Sequence, residues 1–216
     1  MSMGSVGVSR IKKIGRSLGN NVARAGAGVA ARLRAPFHVV LVGLDGSGKT
    51  TTLLRLRYGR YVNTTPTVAF NCEKIRCGGS SWLVWDVGGS ERLRPLWRPY
   101  TRATDALIFV VDACSNADRL EEARLELQRL LKQQAAQCGV LGISKPPLLL
   151  LANKQDLPAA KSLNVLTHTL GLDDIKDQHP WVAASACAVT GEGLEQAYSA
   201  LRKLLLVSRQ KNKSRK

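Results

Sequence analysis

The stretch Gly43-Leu44-Asp45-Gly46-Ser47-Gly48-Lys49-Thr50 has the spacing G-x-x-x-x-G-K-[ST] of a phosphate-binding loop. It follows the apolar run 37–42 and precedes 51–56, so it joins an expected strand to an expected helix. Glycines let successive N–H groups turn toward a triphosphate, and the helix N-terminus adds a favourable dipole. Lys49 supplies a charge for the outer phosphates, and the Thr50 hydroxyl supplies a ligand for Mg²⁺. The predicted phosphate contacts are Gly43, Asp45, Gly46, Ser47, Gly48, Lys49, Thr50 and Thr51.

A second motif, Asn153-Lys154-Gln155-Asp156, follows the apolar run 147–152, which is typical of a central parallel strand. The Asp156 carboxylate can accept two hydrogen bonds from the N1–H and 2-amino groups of guanine. Adenine lacks both donors, so the motif predicts selection of guanine nucleotides. We expect Asn153 to brace the loop and the Lys154 stem to cover the base.

Two further segments predict a Mg²⁺ site beside the triphosphate. Thr67 follows Pro66 in a threonine-rich loop, where its hydroxyl can ligate the ion with that of Thr50. Asp86 ends the strand 82–85 and is expected to hold Mg²⁺ through water. The expected cofactors are therefore GTP or GDP and Mg²⁺.

The order of these motifs resembles the Arf and Arf-like small GTPases. Trp85-Asp86-Val87-Gly88-Gly89 with 93–97 is similar to their second switch, and 64–71 to their first. The resemblance implies that the Gly89 N–H meets the γ-phosphate in the triphosphate state. It also implies that Cys187 and Ala188 contact guanine, and that Phe70, Trp85 and Tyr100 form the switch aromatic cluster that binds effectors.

The alternation of apolar runs predicts one α/β domain. The resemblance implies that it is a P-loop G domain, with a mostly parallel six-stranded sheet flanked by helices. The domain is expected over 37–207, between a basic extension 1–36 and a basic tail 208–216. Gly78-Gly79-Ser80-Ser81 predicts a hairpin, and 133–146 is expected to be a surface insert. The predicted strands are 37–43, 68–77, 81–87, 106–112, 147–153 and 181–187, and the predicted helices are 48–58, 94–103, 118–136, 161–170 and 193–207.

Ser90 departs from the resemblance, because Arf proteins carry glutamine directly after the two glycines. The glutamine orients the attacking water. Serine is two bonds shorter and has no amide, so we expect slow intrinsic GTP hydrolysis, with Gly89 and Ser90 as the residues at the catalytic position.

The net charge of +16 is concentrated at the two ends of the chain. Residues 1–36 and 201–216 hold 14 of the 32 Lys and Arg residues and no Asp or Glu. Such ends favour a polyanionic surface. Ile11, Ile14, Leu18 and Val22 share one face of a helix, which suggests an interfacial membrane helix; a disordered arm and a mitochondrial presequence are the alternatives.

The remaining features exclude other classes of site. The five cysteines and three histidines show no metal-ligand spacing, and their pattern is that of reduced cytosolic thiols. No apolar run has the roughly 20 residues of a membrane span.

We therefore expect a GTP/GDP switch that recruits effectors to an anionic membrane. The resemblance is greatest to the basic-tailed fourth Arf-like subgroup. It implies an exchange factor, a GTPase-activating protein and effectors such as Arf exchange factors, at the inner face of the plasma membrane or in the nucleus. One alternative is a GTP-loaded pseudo-GTPase scaffold; the other is a nucleic-acid-associated G protein, which the lack of aromatics in the basic ends disfavours.

Overall fold

The computed structural model describes residues 35–175 and 179–214, which build a six-stranded sheet in the order β2-β3-β1-β4-β5-β6. Strand β2 is antiparallel to β3, and all other neighbouring pairs are parallel. The prediction of a mostly parallel α/β sheet is confirmed. The strands are β1 (Phe37–Val42), β2 (Phe70–Cys77), β3 (Ser80–Val87), β4 (Ala106–Asp112), β5 (Leu148–Asn153) and β6 (Trp181–Ser185).

Helices cover both faces of this sheet. They are α1 (Lys49–Tyr58), α2 (Trp97–Thr101), α3 (Ala117–Leu141), α4 (Leu163–Thr169) and α5 (Leu194–Ser214). Two 3-10 helices, Glu91–Leu96 and Asp173–Ile175, lie between them. The predicted helix over 94–103 is thus a 3-10 helix that continues into the short α2, with Pro95 inside the 3-10 turns.

The core has two layers because successive residues of a strand point to opposite faces of the sheet. Phe109, Leu148 and Leu150 pack toward α3 and α4. Ile108, Leu149 and Leu151 pack on the other face, against residues of α1 and α5. Strands β4 and β5 are buried on both faces, which explains their uninterrupted apolar sequences.

The hairpin between β2 and β3 forms as predicted. Its turn consists of Gly78 and Gly79, with φ of 53° and 75°. Glycine adopts these left-handed values without a steric penalty, and the mirror-image turn matches the twist of the two strands.

Two helices are longer than predicted. Helix α3 continues to Leu141, so the expected surface insert 133–146 is helical over most of its length, and only 142–147 connects α3 to β5. Gly142, with φ of 62°, caps α3 through its N–H to Cys138 O. Helix α5 runs beyond 207 to Ser214, so residues 208–214 of the predicted basic tail continue the helix.

The predicted amphipathic segment within 1–34 lies outside the described residues, as do Arg215 and Lys216. None of the helices in the described part of the chain combines the length and apolarity needed to cross a membrane. The five cysteines, all of which are described, form no disulfide. Within 35–175 and 179–214, no group of three or more His, Cys, Asp or Glu side chains is placed to hold a metal ion.

Candidate nucleotide-binding site

The phosphate loop lies at the carboxyl edge of the parallel strands, between β1 and α1, where ligands of open α/β sheets bind. Gly43 has a φ of 138°, and a Cβ there would lie 2.2 Å from Val110 O of β4. Gly48 has a φ of 90°, and its Cβ would lie 2.2 Å from Asn153 Nδ2. The loop backbone is therefore packed so closely against β4 and β5 that only glycine fits at these two positions.

Lys49 spans the inside of this loop. Its side chain is buried, and its Nζ donates a 2.8 Å hydrogen bond to Leu44 O. Burial lowers the pKa of Lys49 to about 8, although the carboxylates of Asp86 and Asp45 oppose the shift. Among the described residues, the buried ammonium has one hydrogen bond, so it keeps donors for an anionic ligand such as the outer phosphates of a nucleotide.

Three oxygens converge beside Lys49. The Thr50 hydroxyl lies 2.7 Å from the Thr67 hydroxyl and donates a 2.7 Å hydrogen bond to Asp86 Oδ2. The Thr67 hydroxyl also reaches Asp86 Oδ2, at 3.3 Å. Thr50 is thus in contact with residues 17 and 36 positions away in the sequence, as predicted.

This oxygen cluster fits a magnesium ion. Asp86 is fully buried, and its Oδ1 has no hydrogen-bond partner among the described residues. A buried carboxylate oxygen without a partner is costly, and a cation beside it removes that cost. In an octahedral Mg²⁺ site with oxygens at about 2.1 Å, neighbouring ligands lie about 3 Å apart. The separation of the Thr50 and Thr67 hydroxyls is close to that value.

The paired glycines of the second switch pack onto the phosphate loop. A Cβ on Gly89 would lie 2.2 Å from Gly43 O and 2.6 Å from Asp45 N, so its backbone touches the loop. Trp97 Nε1 donates a 2.9 Å hydrogen bond to Gly88 O and fixes the preceding peptide. Ser90, by contrast, is exposed and makes no side-chain capping bond to the 3-10 helix that it precedes.

The loops that we assign to the base are held by Asn153. Its buried side chain donates to Ser47 O at 2.8 Å and accepts from Ala188 N at 2.9 Å. One side chain thereby joins the phosphate loop to the loop after β6. The predicted bracing role of Asn153 has a direct geometric counterpart in these bonds.

A cavity of about 190 Å³ opens between these loops. Asp156 is exposed and lines this cavity, and its selection of guanine stays a prediction. Lys154 adopts a φ of 68°, and its Nζ pairs with Asp112 at 2.6 Å. Cys187 is buried, and its backbone N–H donates a hydrogen bond to Glu192 O. This bond stabilises the loop after β6. The residues lining the cavity are Gly48, Thr51, Asn153, Lys154, Asp156, Leu157, Ala188 and Val189.

The predicted aromatic cluster is assembled. The ring centroids of Phe70, Trp85 and Tyr100 lie 5.3 to 5.5 Å from one another, at tilted angles typical of aromatic packing. Phe70 is 45% exposed, so the cluster presents an apolar surface next to Thr67 and Gly88. Its role in effector binding stays a prediction.

An arginine network surrounds Asp45, which the sequence patterns did not predict. Arg119 Nη2 donates to Asp45 Oδ1 at 2.6 Å, and its Nη1 donates to Glu122 at 2.7 Å. Arg94 donates to Gly89 O at 3.1 Å and to Glu122 at 2.6 Å. Burial raises the pKa of Asp45, but the hydrogen bond and charge of Arg119 outweigh it and the net pKa is lowered.

One local signal pointed to this network. Arg119 stands in the first turn of α3, where the helix dipole disfavours a cation, so its presence there indicates a specific anionic partner. Asn71 was also missed as a site residue. Its side chain donates to Asp86 Oδ2 at 3.0 Å and supports the oxygen cluster from strand β2.

Residues 29–205 match the model of the ADP-ribosylation factor family. The chain belongs to this family. The Arf family comprises small GTPases that bind GTP and GDP and act as switches, so the fold, the phosphate loop and the guanine motif have one common explanation.

Among the relatives of known name is ADP-ribosylation factor-like protein 4C of Homo sapiens, 42% identical over 185 residues, which are 83% of this chain and 92% of that protein. ADP-ribosylation factor-like protein 4A of Homo sapiens is 42% identical over 178 residues, 80% of this chain and 85% of that protein. A similar solved structure is the Arl6 BBS3 small GTPase from Trypanosoma brucei with the bound nucleotide analogue GppNp. Its TM-score is 0.72 at 32% identity, and the match covers 81% of this chain and 99% of that one.

Proposed function

We propose that this Arf-like protein is a GTP/GDP switch with slow intrinsic hydrolysis that recruits effectors to an anionic membrane. The observation that carries the proposal is the contrast at the γ-phosphate side of the loop. Thr50, Thr67 and Asp86 are gathered for Mg²⁺, whereas Ser90 places only a short, exposed hydroxyl where a water-orienting side chain is needed.

The geometry supports a separate proposed role for each group of residues. Lys49 and the loop N–H groups hold the phosphates, and Thr50 and Thr67 ligate Mg²⁺, which supplies charge neutralisation for phosphoryl transfer when bound. Asp156 selects guanine, while Asn153 keeps the base loop and phosphate loop together. The aromatic cluster of Phe70, Trp85 and Tyr100 is the proposed effector surface, because it adjoins both switches.

The membrane part of the proposal rests on the basic ends of the chain. Each Lys or Arg near an anionic leaflet contributes about 1 kcal/mol. Arg209, however, pairs with Asp105 at 3.2 Å and lies 3.8 Å above the Phe37 ring. One of the tail charges is therefore committed to the fold, and attachment depends on the remaining basic residues together with the N-terminal extension.

The first experiment is to measure the nucleotide bound to protein purified in Mg²⁺, followed by single-turnover release of phosphate from loaded GTP. We expect bound guanine nucleotide and slow phosphate release without a partner. Rapid unaided hydrolysis would show that another residue positions the water. Retention of GTP for hours without any release would identify a non-hydrolysing scaffold, and absence of guanine nucleotide would contradict the switch itself.

Membrane attachment is tested separately, by flotation with phosphatidylcholine vesicles and with vesicles that also contain phosphatidylserine. We expect binding only to the anionic vesicles, weakening as salt is raised. Equal binding to both vesicles would contradict an electrostatic attachment but leave the nucleotide switch unaffected.

A further inference from the structure

A groove runs along the outer side of α2 and α3, away from the nucleotide cavity. It consists of two adjoining cavities of about 540 and 640 Å³, which share Arg98 and Gln133. We call it the α2–α3 groove. Its second half exists because α3 extends to Leu141, through part of the predicted surface insert 133–146.

The walls of this groove are held at a fixed separation. Gln134 Nε2 donates a 3.0 Å hydrogen bond to Thr101 O, and Gln137 Nε2 donates to Arg102 O. Side chains of α3 thereby satisfy carbonyl groups at the C-terminal end of α2, which have no partner within their own helix. The groove is preformed, so a ligand does not have to open it.

The far half of the groove is apolar and exposed. Val140 is 88% exposed and Leu141 is 57% exposed, and both line the cavity together with Pro99 and Ala136. Large aliphatic side chains on the last turns of a helix normally pack inward or are replaced by polar residues. A contiguous exposed apolar surface beside a concave wall is typical of a protein-binding site.

The α2 wall of the groove is cationic. Arg98 and Arg102 are exposed, and no described residue forms an ion pair with either of them. Two glutamates line the groove: Glu126 is paired with Arg94 and Arg129, whereas Glu91 is exposed and has no ion pair among the described residues. The four arginines of the groove outnumber these two acids; they are Arg94, Arg98, Arg102 and Arg129. The charge that remains to be matched in the groove is therefore positive, and it lies next to the apolar floor.

We propose that the α2–α3 groove binds an acidic amphipathic helix of a partner protein. Its carboxylates pair with Arg98 and Arg102, and its apolar face covers Val140 and Leu141. A helix suits this groove because both walls are helices, which offer side chains rather than a free strand edge for pairing. A bilayer does not suit it, because a flat surface cannot enter a concave site. The inference is independent of the chemistry at Ser90.

The test uses the full chain as purified. A phage-displayed library of 16-residue peptides is selected on the wild-type protein, and the most enriched peptide is synthesised for fluorescence anisotropy. We expect enriched peptides with apolar residues at three- and four-residue steps flanked by Asp and Glu. The Kd of the best peptide should rise roughly tenfold or more on Val140→Asp and on Arg98→Glu, as for central contacts of an interface.

Two matched controls separate the groove from general surface effects. Val165→Asp replaces an exposed valine on α4, and Arg60→Glu reverses an exposed cation just after α1. Both should leave the Kd within about twofold, because they lie outside the contact. Melting temperatures of all four variants should match the wild type, since each position is exposed.

Four results overturn the proposal. The selection enriches no peptide, or the enriched peptides bind Val140→Asp and Arg98→Glu as tightly as the wild type. Light scattering shows a dimer that Val140→Asp dissociates, which makes a second copy of the chain the occupant. Binding to phosphatidylserine vesicles is lost in Val140→Asp and Arg98→Glu while the peptide does not compete with it, which makes the surface a membrane contact.

Discussion

The base side and the γ-phosphate side of the same loop are built differently. On the base side, protein groups already pair with one another: Asn153 joins two loops, Lys154 pairs with Asp112, and Arg55 on α1 donates to Thr190 O. On the γ-phosphate side, Arg94 and Trp97 bind the carbonyl groups of Gly89 and Gly88, but the side chains that directly follow the switch contacts are exposed. Ser90 is exposed, and Val68 next to Thr67 is 87% exposed.

This difference separates recognition of the nucleotide from response to its state. A side preorganised by buried hydrogen bonds holds its shape whichever nucleotide is bound. On the other side, the contacts converge on Thr50, Thr67 and Asp86. The shape of that side therefore depends on the ion or phosphate bound between these residues. We propose that the side braced by Asn153 selects guanine, and that the side where contacts converge on Thr50, Thr67 and Asp86 senses the third phosphate.

The largest expected effect is on the rigid side, in the variant Asn153→Ala. Removal of the side chain leaves Ser47 O and Ala188 N–H buried without partners, at about 4 kcal/mol in total. We expect a large drop in melting temperature and release of GDP at least about 30-fold faster, because both loops that contact the nucleotide lose their brace. Thermal unfolding and release of a fluorescent GDP analogue measure the two effects.

Asn164→Ala is the matched control for this variant, since Asn164 is exposed on α4. It should leave both values near those of the wild type. If Asn153→Ala retains GDP as long as the wild type does, Asn153 does not hold the base side in place. The base side would then not be the more rigid of the two.

On the γ-phosphate side, Ser90→Gln is expected to raise the single-turnover rate of GTP hydrolysis by roughly 100-fold, the size of effect that correct positioning of a reactant can have. The glutamine side chain is long enough to contact the attacking water, whereas the serine side chain is not. Ser90→Asn carries the same amide one bond shorter and should recover little. Ser90→Ala should match the wild type. A Ser90→Gln rate equal to that of the wild type would refute our role for this position.

The sequence predicted the fold and most of the candidate site because their signals are local. The phosphate loop, Asn153-Lys154-Gln155-Asp156 and the apolar strands are contiguous patterns whose meaning depends on a few neighbouring residues. The end of α3 was mispredicted because its apolar spacing weakens after Leu131, in a run rich in Gln and Ala. Gly142 was the available stop signal, as a left-handed helix cap.

The arginine network escaped prediction for a different reason. Arg94, Arg119 and Asp45 come from the second switch, α3 and the phosphate loop, and 74 residues separate Arg119 from Asp45. Nothing in the pattern around one of these residues specifies the others, since only the folded sheet brings the three loops to one edge. The same is true of the α2–α3 groove, which exists only where two separate helices meet.

An intermediate effect is expected at Arg94, the residue that ties the γ-phosphate side to α3. Its side chain is 10% exposed and binds Gly89 O, Glu122 and Glu126. Arg94→Gln should cost about 2 kcal/mol in unfolding free energy, because two partly buried carboxylates lose their partner, with a discount for the exposure of Glu122. Arg94→Lys keeps the charge but not the fork of donors, so it should recover only part of the loss.

Arg124→Gln is the control for Arg94, because Arg124 also pairs with a glutamate on α3 but at the surface. It should cost less than about 0.5 kcal/mol. Chemical denaturation of the GDP form measures all three variants. Equal costs for Arg94→Gln and Arg124→Gln would show that the network is an ordinary surface cluster, and that the second switch is not anchored to α3 through it.

The smallest effect is expected at the opposite edge of the sheet, in Arg209→Ala. Arg209 donates to Pro36 O and Asp105 and stacks on Phe37, with its side chain about a quarter exposed. The loss should be about 1 kcal/mol, typical of a partly exposed cation–π and ion pair, and release of GDP should not change. Lys203→Ala, an exposed position on the same helix, should cost nothing measurable. If Arg209→Ala instead accelerates GDP release, the far edge of the sheet is coupled to the nucleotide. The contrast between the two sides of the loop would then depend on the whole domain rather than on the bonds at each side.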